Sequence, residues 1–111
     1  MTAALQALLE RVDAGEWWHD MPRPDCLHTD LCWKAFNGSL DAAKALVKAV
    51  CPGAHQVNVD WGPSGCGAKL FWWPDGLSDA AQIETQGYDD DPARAILAAI
   101  IRALIADTEG R

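Results

Sequence analysis

Apolar residues recur at helical spacing in the first half of the chain. In residues 2–14 the leucines and one valine fall on a single helical face, and residues 39–53 repeat that spacing after Ser39, a residue type that caps helices. Residues 25–36, between these two segments, predict another helix that begins at Asp25 and ends before Asn37-Gly38. The pattern therefore predicts three consecutive helices.

Three short β-type segments follow. Residues 55–61 (HQVNVDW) alternate apolar and polar positions, residues 68–73 (AKLFWW) are rich in β-forming types, and residues 80–86 (AAQIETQ) give the weakest signal. Asp91-Pro92 then predicts the start of a closing helix. We therefore predict an α+β fold in α-α-α-β-β-β-α order, with a three-stranded antiparallel sheet layered between helices, in a single domain over residues 1–111.

The closing helix carries two adjacent apolar rows. Such a width exceeds what one sheet face usually covers, and it predicts apolar surface that a second copy would bury in a homodimer. The two rows are Ile96, Ile100 and Leu104, and Leu97, Ile101 and Ile105.

The net charge of the chain limits the classes of partner that it is expected to bind. Lys and Arg number 9 against 16 acidic residues, and a net charge of −7 repels nucleic acid and anionic membrane. The first residues lack the basic start and apolar core of a signal peptide, and no apolar run is long enough to span a bilayer. We expect a cytoplasmic protein, with its four cysteines reduced.

The glycine-rich stretch GPSGCG resembles a phosphate-binding loop. Gly62 and Gly67 fit the Walker A frame, but Ala68 displaces Lys69 by one position and Leu70 stands where a hydroxyl would bind magnesium. The sequence that follows is β-type, whereas a phosphate-binding loop leads into a helix. We predict a hairpin connection, with no nucleotide site and no cofactor.

One segment is dense in potential metal ligands and nucleophiles, His19, Cys26, His28 and Cys32. Their spacing matches no common zinc motif, and a helix would place His28 and Cys32 on the face that also carries Phe36. Small core residues explain this cluster best. A metal site or a small cytosolic enzyme that uses these four residues stays open as the alternative.

Six tryptophans in 111 residues include the adjacent pair Trp72-Trp73. Neighbouring strand residues point to opposite faces, so one ring of the pair is expected to be exposed unless helices cover both faces. Large rings filling a layered core are the alternative. If rings are exposed, the binding surface would combine Trp61, Trp72 and Trp73 with the hairpin glycines Gly65 and Gly67.

Three aspartates, residues 89–91, precede the closing helix. A cation site is one interpretation of this run, but carboxylates at a helix start more often cap its N–H groups and offset its dipole. The order of elements also invites comparison with double-stranded RNA-binding domains. Those domains carry lysines at this position, so RNA binding is not expected here.

Several stretches resemble the phage ABA sandwich domain, a family of small bacteriophage and prophage proteins. The stretch SLDAAKALV, the opening ALLERVDAGEWW with its following PDCLHTDLCWKAF, and the closing DDDPARAILAAIIRALIA are similar to that family's signature segments. The resemblance implies an α-β-α layered fold and a phage origin, and it assigns no activity to any residue. We therefore expect a non-enzymatic accessory protein that binds a protein or small-molecule partner and forms a homo-oligomer.

Overall fold

The computed structural model describes residues 3–16, 29–51, 56–63, 65–73 and 83–109. Four helices and three strands occur in this part of the chain, and they confirm the predicted α+β class and the predicted order of elements. Their bounds are α1 Ala3–Asp13, α2 Thr29–Phe36, α3 Leu40–Val50, β1 Gln56–Gly62, β2 Gly65–Trp72, β3 Ile83–Asp89 and α4 Pro92–Glu109. None of these helices is both long enough and apolar enough to cross a membrane.

The predicted helix caps at Ser39 and Asp91 are confirmed. The Ser39 hydroxyl accepts a hydrogen bond from the backbone N–H of Ala42 at 3.1 Å, which satisfies a free donor in the first turn of α3. At α4, the Oδ1 of Asp91 accepts from the N–H groups of Ala93 at 2.8 Å and Arg94 at 3.2 Å. Both helices therefore begin where a side-chain oxygen replaces the missing backbone acceptors.

The three strands form one antiparallel sheet in the order β1-β2-β3. Strand β2 begins at Gly65, three residues before the predicted AKLFWW segment, so Gly67 and Lys69 lie inside a strand. The prediction that the glycine-rich stretch leads into a strand is thereby confirmed. Strand β3 lies three residues later than predicted, because its glycine and tyrosine pair with β2 across from Ala68 and Gly67.

Helix α4 lies at the centre of the molecule. One side of it packs on β3 and β2, and α1, α2 and α3 pack on its other sides. Both apolar rows are consequently covered: Ile96, Leu97, Ile100, Ile101 and Leu104 are buried, and Ile105 is half-buried. The expectation that this helix leaves apolar surface for a dimer was wrong, because two strands and three helices surround the helix.

The contact between α4 and β3 is unusually close. Gly87 faces the helix, and a Cβ at this position would overlap the carbonyl oxygen of Ala95 and lie 2.8 Å from the backbone nitrogen of Ala99. Two residues earlier in β3, the hydroxyl of Thr85 donates to the carbonyl of Ala99 at 2.7 Å. The absence of a side chain at Gly87 therefore sets how near the central helix can approach the sheet.

Candidate functional site

An open cleft of about 630 Å³ lies at the end of the sheet where β1 turns into β2. The end of α1, all three strands and the first turn of α4 contribute to it. Its described lining includes two large exposed rings, Trp61 at 69% and Tyr88 at 67% exposure. Large rings at such exposure on a concave surface are candidates for contact with a ligand or a partner.

Glycines form the floor of this cleft. Gly67 lies between Asp60 and Tyr88 in register, on the sheet face opposite α4, which we call the outer face. The Tyr88 ring lies across this position, because a Cβ on Gly67 would stand 3.4 Å from the ring carbon Cε1. A glycine in the strand therefore lets an aromatic ring lie against the backbone while most of the ring stays exposed.

Polar side chains share the outer face with the Tyr88 ring. The neighbouring row places Lys69 across from Gln86, and the Tyr88 hydroxyl donates to Oε1 of Gln86. Within the described residues, neither Asp60 nor Lys69 forms an ion pair. The outer face thus presents a carboxylate, an ammonium group and an amide beside one exposed ring.

The α4 side of the cleft is held by Arg94. Its Nε donates to the carbonyl of Phe36 at 3.1 Å, its guanidinium lies 4.2 Å from the centroid of the Phe36 ring, and Nη1 is 3.6 Å from Oδ1 of Asp89. The same Asp89 oxygen accepts from the N–H of Asp91 at 3.0 Å. These contacts join the end of α2 to the start of α4 and fix this wall, so both charged groups serve the fold.

The structure separates the predicted binding residues. Trp61, Gly65 and Gly67 all line the cleft, although Gly65 and Gly67 lie on the outer face and Trp61, paired with the buried Cys66, lies on the α4 face. Trp72 is only 3% exposed, because the alternation of β2 directs it toward α4, and it fills the core. Trp73 is half-buried and does not belong to the described cleft lining. The prediction that Trp72 offers a contact surface is therefore corrected, and the layered-core interpretation holds for this ring.

The predicted cluster of metal ligands lies largely outside the described residues, which include neither His19 nor Cys26 nor His28. Its remaining member, Cys32, is buried in the core. No group of three or more His, Cys, Asp or Glu residues that could hold a metal ion occurs in the described ranges. Burial, together with the charge of Asp107, raises the pKa of the Cys51 thiol to about 12, so this second buried cysteine is not an activated nucleophile.

Sequence reasoning missed four cleft residues: Asp60, Lys69, Gln86 and Tyr88. They are distant along the chain, and only the pairing register of β1, β2 and β3 brings them together. A signal existed in the two residues between Gly62 and Gly65. A connection of that length fixes the register of a hairpin, and it predicts Asp60 across from Gly67.

Comparison with known proteins adds no relative. No family model, no curated protein and no solved structure matches the chain. The resemblance to the phage ABA sandwich domain therefore stays a prediction.

Proposed function

We propose that the protein is a non-enzymatic binding protein, an accessory protein of phage or prophage origin, whose cleft takes a small molecule that carries a ring. The phage origin rests on the sequence resemblance alone. The binding function rests on one observation, the exposed ring of Tyr88 lying on Gly67, on the sheet face that also carries a carboxylate, an ammonium group and an amide. A flat or sugar ring would stack on Tyr88, and the polar groups would orient it.

The arrangement of the cleft favours binding over catalysis. Arg94 and Asp89 are engaged with each other and with the fold. Cys66, the thiol in the lining, is buried and donates to the carbonyl of Asp90 at 3.6 Å. Asp60 and Lys69 form no ion pair within the described part of the chain, and they act in the proposal as hydrogen-bond partners and as opposite charges for a polar ligand.

The test is native mass spectrometry of the full chain purified from bacterial cells, followed by titration with a panel of nucleosides and monosaccharides. Tyr88→Ala should lose the bound mass and weaken binding of the best panel member about tenfold or more, since stacking on an aromatic ring contributes ~1–3 kcal/mol. Trp33→Ala is the matched control: Trp33 is an aromatic residue with 51% exposure on α2, outside the described cleft lining.

Each outcome bears on the proposal. A bound small molecule that stays chemically unchanged, is lost in Tyr88→Ala and is kept in Trp33→Ala supports it. Conversion of that molecule to a product would overturn the non-enzymatic role. If a protein is bound and its binding depends on Tyr88 in the same way, the ligand of the cleft is a protein segment and not a small molecule. Binding that is equal in both variants would show that the cleft is not the site.

A further inference from the structure

Among the residues that the structure describes, the outer edge of β1 offers free backbone groups. Gly62 and Gly65 pair across two intervening residues, and such a short connection is closed by a hydrogen-bonded pair. The N–H and C=O of each residue point to one side of the strand, and the side alternates along it. Val57, Val59 and Trp61 therefore direct their backbone groups away from β2, toward the open edge.

The opposite edge of the sheet supports this alternation and is covered. The same alternation, continued through β2 into β3, places the carbonyl of Gln86 on the outer edge of β3. There Nη1 of Arg102 donates to it at 2.9 Å. Arg102 is held there by Oδ2 of Asp13, 2.9 Å from its Nη2. Within the described residues, no comparable side chain bonds to the β1 edge.

Strand β1 also lacks the residues that commonly protect an edge. Between Gln56 and Gly62 it has no lysine and no proline, and Asp60 is its one charged residue. Val57 and Val59 are only partly buried, since α4 covers β1 far less than β2 and β3. The strand thus combines free hydrogen-bonding groups with apolar side chains on its α4 face.

We infer that a second copy of this chain pairs antiparallel with β1 about a two-fold axis at Val59, which joins the two sheets into one of six strands. If the α4 faces of the two copies are to lie on the same side of the joined sheet, the two-fold axis must pass through a residue and not between two residues. An axis at Asp60 would oppose two carboxylates, and an axis at Asn58 would pair Trp61 beyond the start of β1.

The axis at Val59 satisfies every outward group. Val59 meets its own copy and Val57 meets the second copy's Trp61, which gives about six hydrogen bonds across the edge. Tryptophan opposite valine is a favourable cross-strand pair, and Asp60 meets the second copy's Asn58, so no like charges oppose. This self-complementarity selects a second copy as the occupant, although each chain carries a net charge of −7.

Single cysteines in the full chain test the register. Val59→Cys should cross-link to a covalent dimer under mild oxidation, because directly opposed residues lie within disulfide range. Asn58→Cys and Asp60→Cys should cross-link at least tenfold more slowly, since each lies diagonally from its own copy. Wild-type chain corrects for the native thiols. Equal rates at all three positions, or fastest cross-linking at residue 58 or 60, would overturn the proposed axis.

Val59→Pro tests the pairing without a new thiol. Proline removes the outward N–H and leaves the β1–β2 ladder intact, since the N–H of Val59 faces the edge. Light scattering at micromolar concentration should give about twice the 12.0 kDa chain mass for wild type and for Val59→Thr, and a folded monomer for Val59→Pro. A monomeric wild type, or a dimer that persists in Val59→Pro, would overturn the inference. Neither variant alters Tyr88, so the aromatic ring of the cleft is the same in both.

Discussion

Gly87→Ala adds one methyl group at the closest point between sheet and helix. The new Cβ would overlap the Ala95 carbonyl oxygen and lie 2.8 Å from the Ala99 nitrogen, and both atoms belong to the backbone of α4. A backbone cannot move aside as a flexible side chain can, and α4 is packed on its other sides by three helices. The strand and the central helix must therefore separate.

Moving β3 away from α4 weakens the packing along the whole contact between these two elements. Overpacking a well-filled core costs typically 1–3 kcal/mol, and we expect the upper end of this range, about 3 kcal/mol, because the obstructing atoms are backbone. For a chain of this size that corresponds to a fall of roughly 12 °C in Tm. Urea denaturation followed by circular dichroism measures the loss as a lower midpoint.

Gly67→Ala is the control for this prediction, since it makes the same change in the neighbouring strand. Its Cβ would meet the Tyr88 ring at 3.4 Å, an ordinary contact with an exposed side chain, and Gly67 does not adopt a positive φ. Its free energy of unfolding should change by less than about 0.5 kcal/mol. Equal midpoints for the two variants would refute the close approach of α4 to Gly87.

Three further predictions concern the helix cap, the sheet-to-helix bond and a buried thiol. Asp91→Ala should lower the free energy of unfolding by about 1 kcal/mol, measured by urea denaturation, because two N–H groups of α4 lose their acceptor. Thr85→Val should cost about 1 kcal/mol in the same assay through loss of the bond to the Ala99 carbonyl. The folded pKa of Cys51, raised from 9.0 to about 12, means that the unfolded chain ionises first, so stability should fall as the pH rises above about 9. Cys51→Ala should show a smaller fall between pH 8 and pH 10.5 than wild type, and an identical fall would contradict the assignment.

Local chemistry made much of the fold predictable. The caps at Ser39 and Asp91 act within three residues, so short sequence windows contain the whole signal. The order of elements followed from the change between helical and alternating spacing. Strand bounds were less predictable, because pairing with β2 extends β3 through Gly87 and Tyr88, residues that a single strand would not require.

The surroundings of α4 were not predictable from its apolar rows alone. A helix that packs on one sheet face needs only one apolar stripe. The second apolar row of α4 therefore exceeded what the sheet alone could bury. The alanines on the remaining faces of α4, such as Ala95 and Ala99, carried the missing signal, because small apolar residues there are typical of a helix that is buried all round. The prediction considered only the two apolar rows, and it therefore expected part of their surface to be buried by a second copy.

The cleft was partly predictable for a related reason. The exposure of Trp61 followed from its place at the end of an edge strand, whereas the burial of Trp72 depended on which face of β2 meets α4. Nothing in the residues around Tyr88 indicated that its ring would be exposed in a cleft. Its ring is exposed because it lies across Gly67, and that pairing exists only in the folded register.

The two proposed surfaces meet at Trp61. Its backbone belongs to the free edge of β1, and its ring lines the cleft. In the proposed dimer the two hairpin ends lie at opposite ends of the six-stranded sheet, and each Trp61 packs beside the second copy's Val57. A ligand that contacts this ring would therefore bind the dimer and the monomer with different affinity, and by linkage it would shift the dimer equilibrium by the same factor. Val59→Pro and Tyr88→Ala separate dimerisation from ligand binding. Val59→Pro removes the pairing of β1 and leaves the Tyr88 ring in place, whereas Tyr88→Ala removes the ring and leaves the pairing of β1 intact.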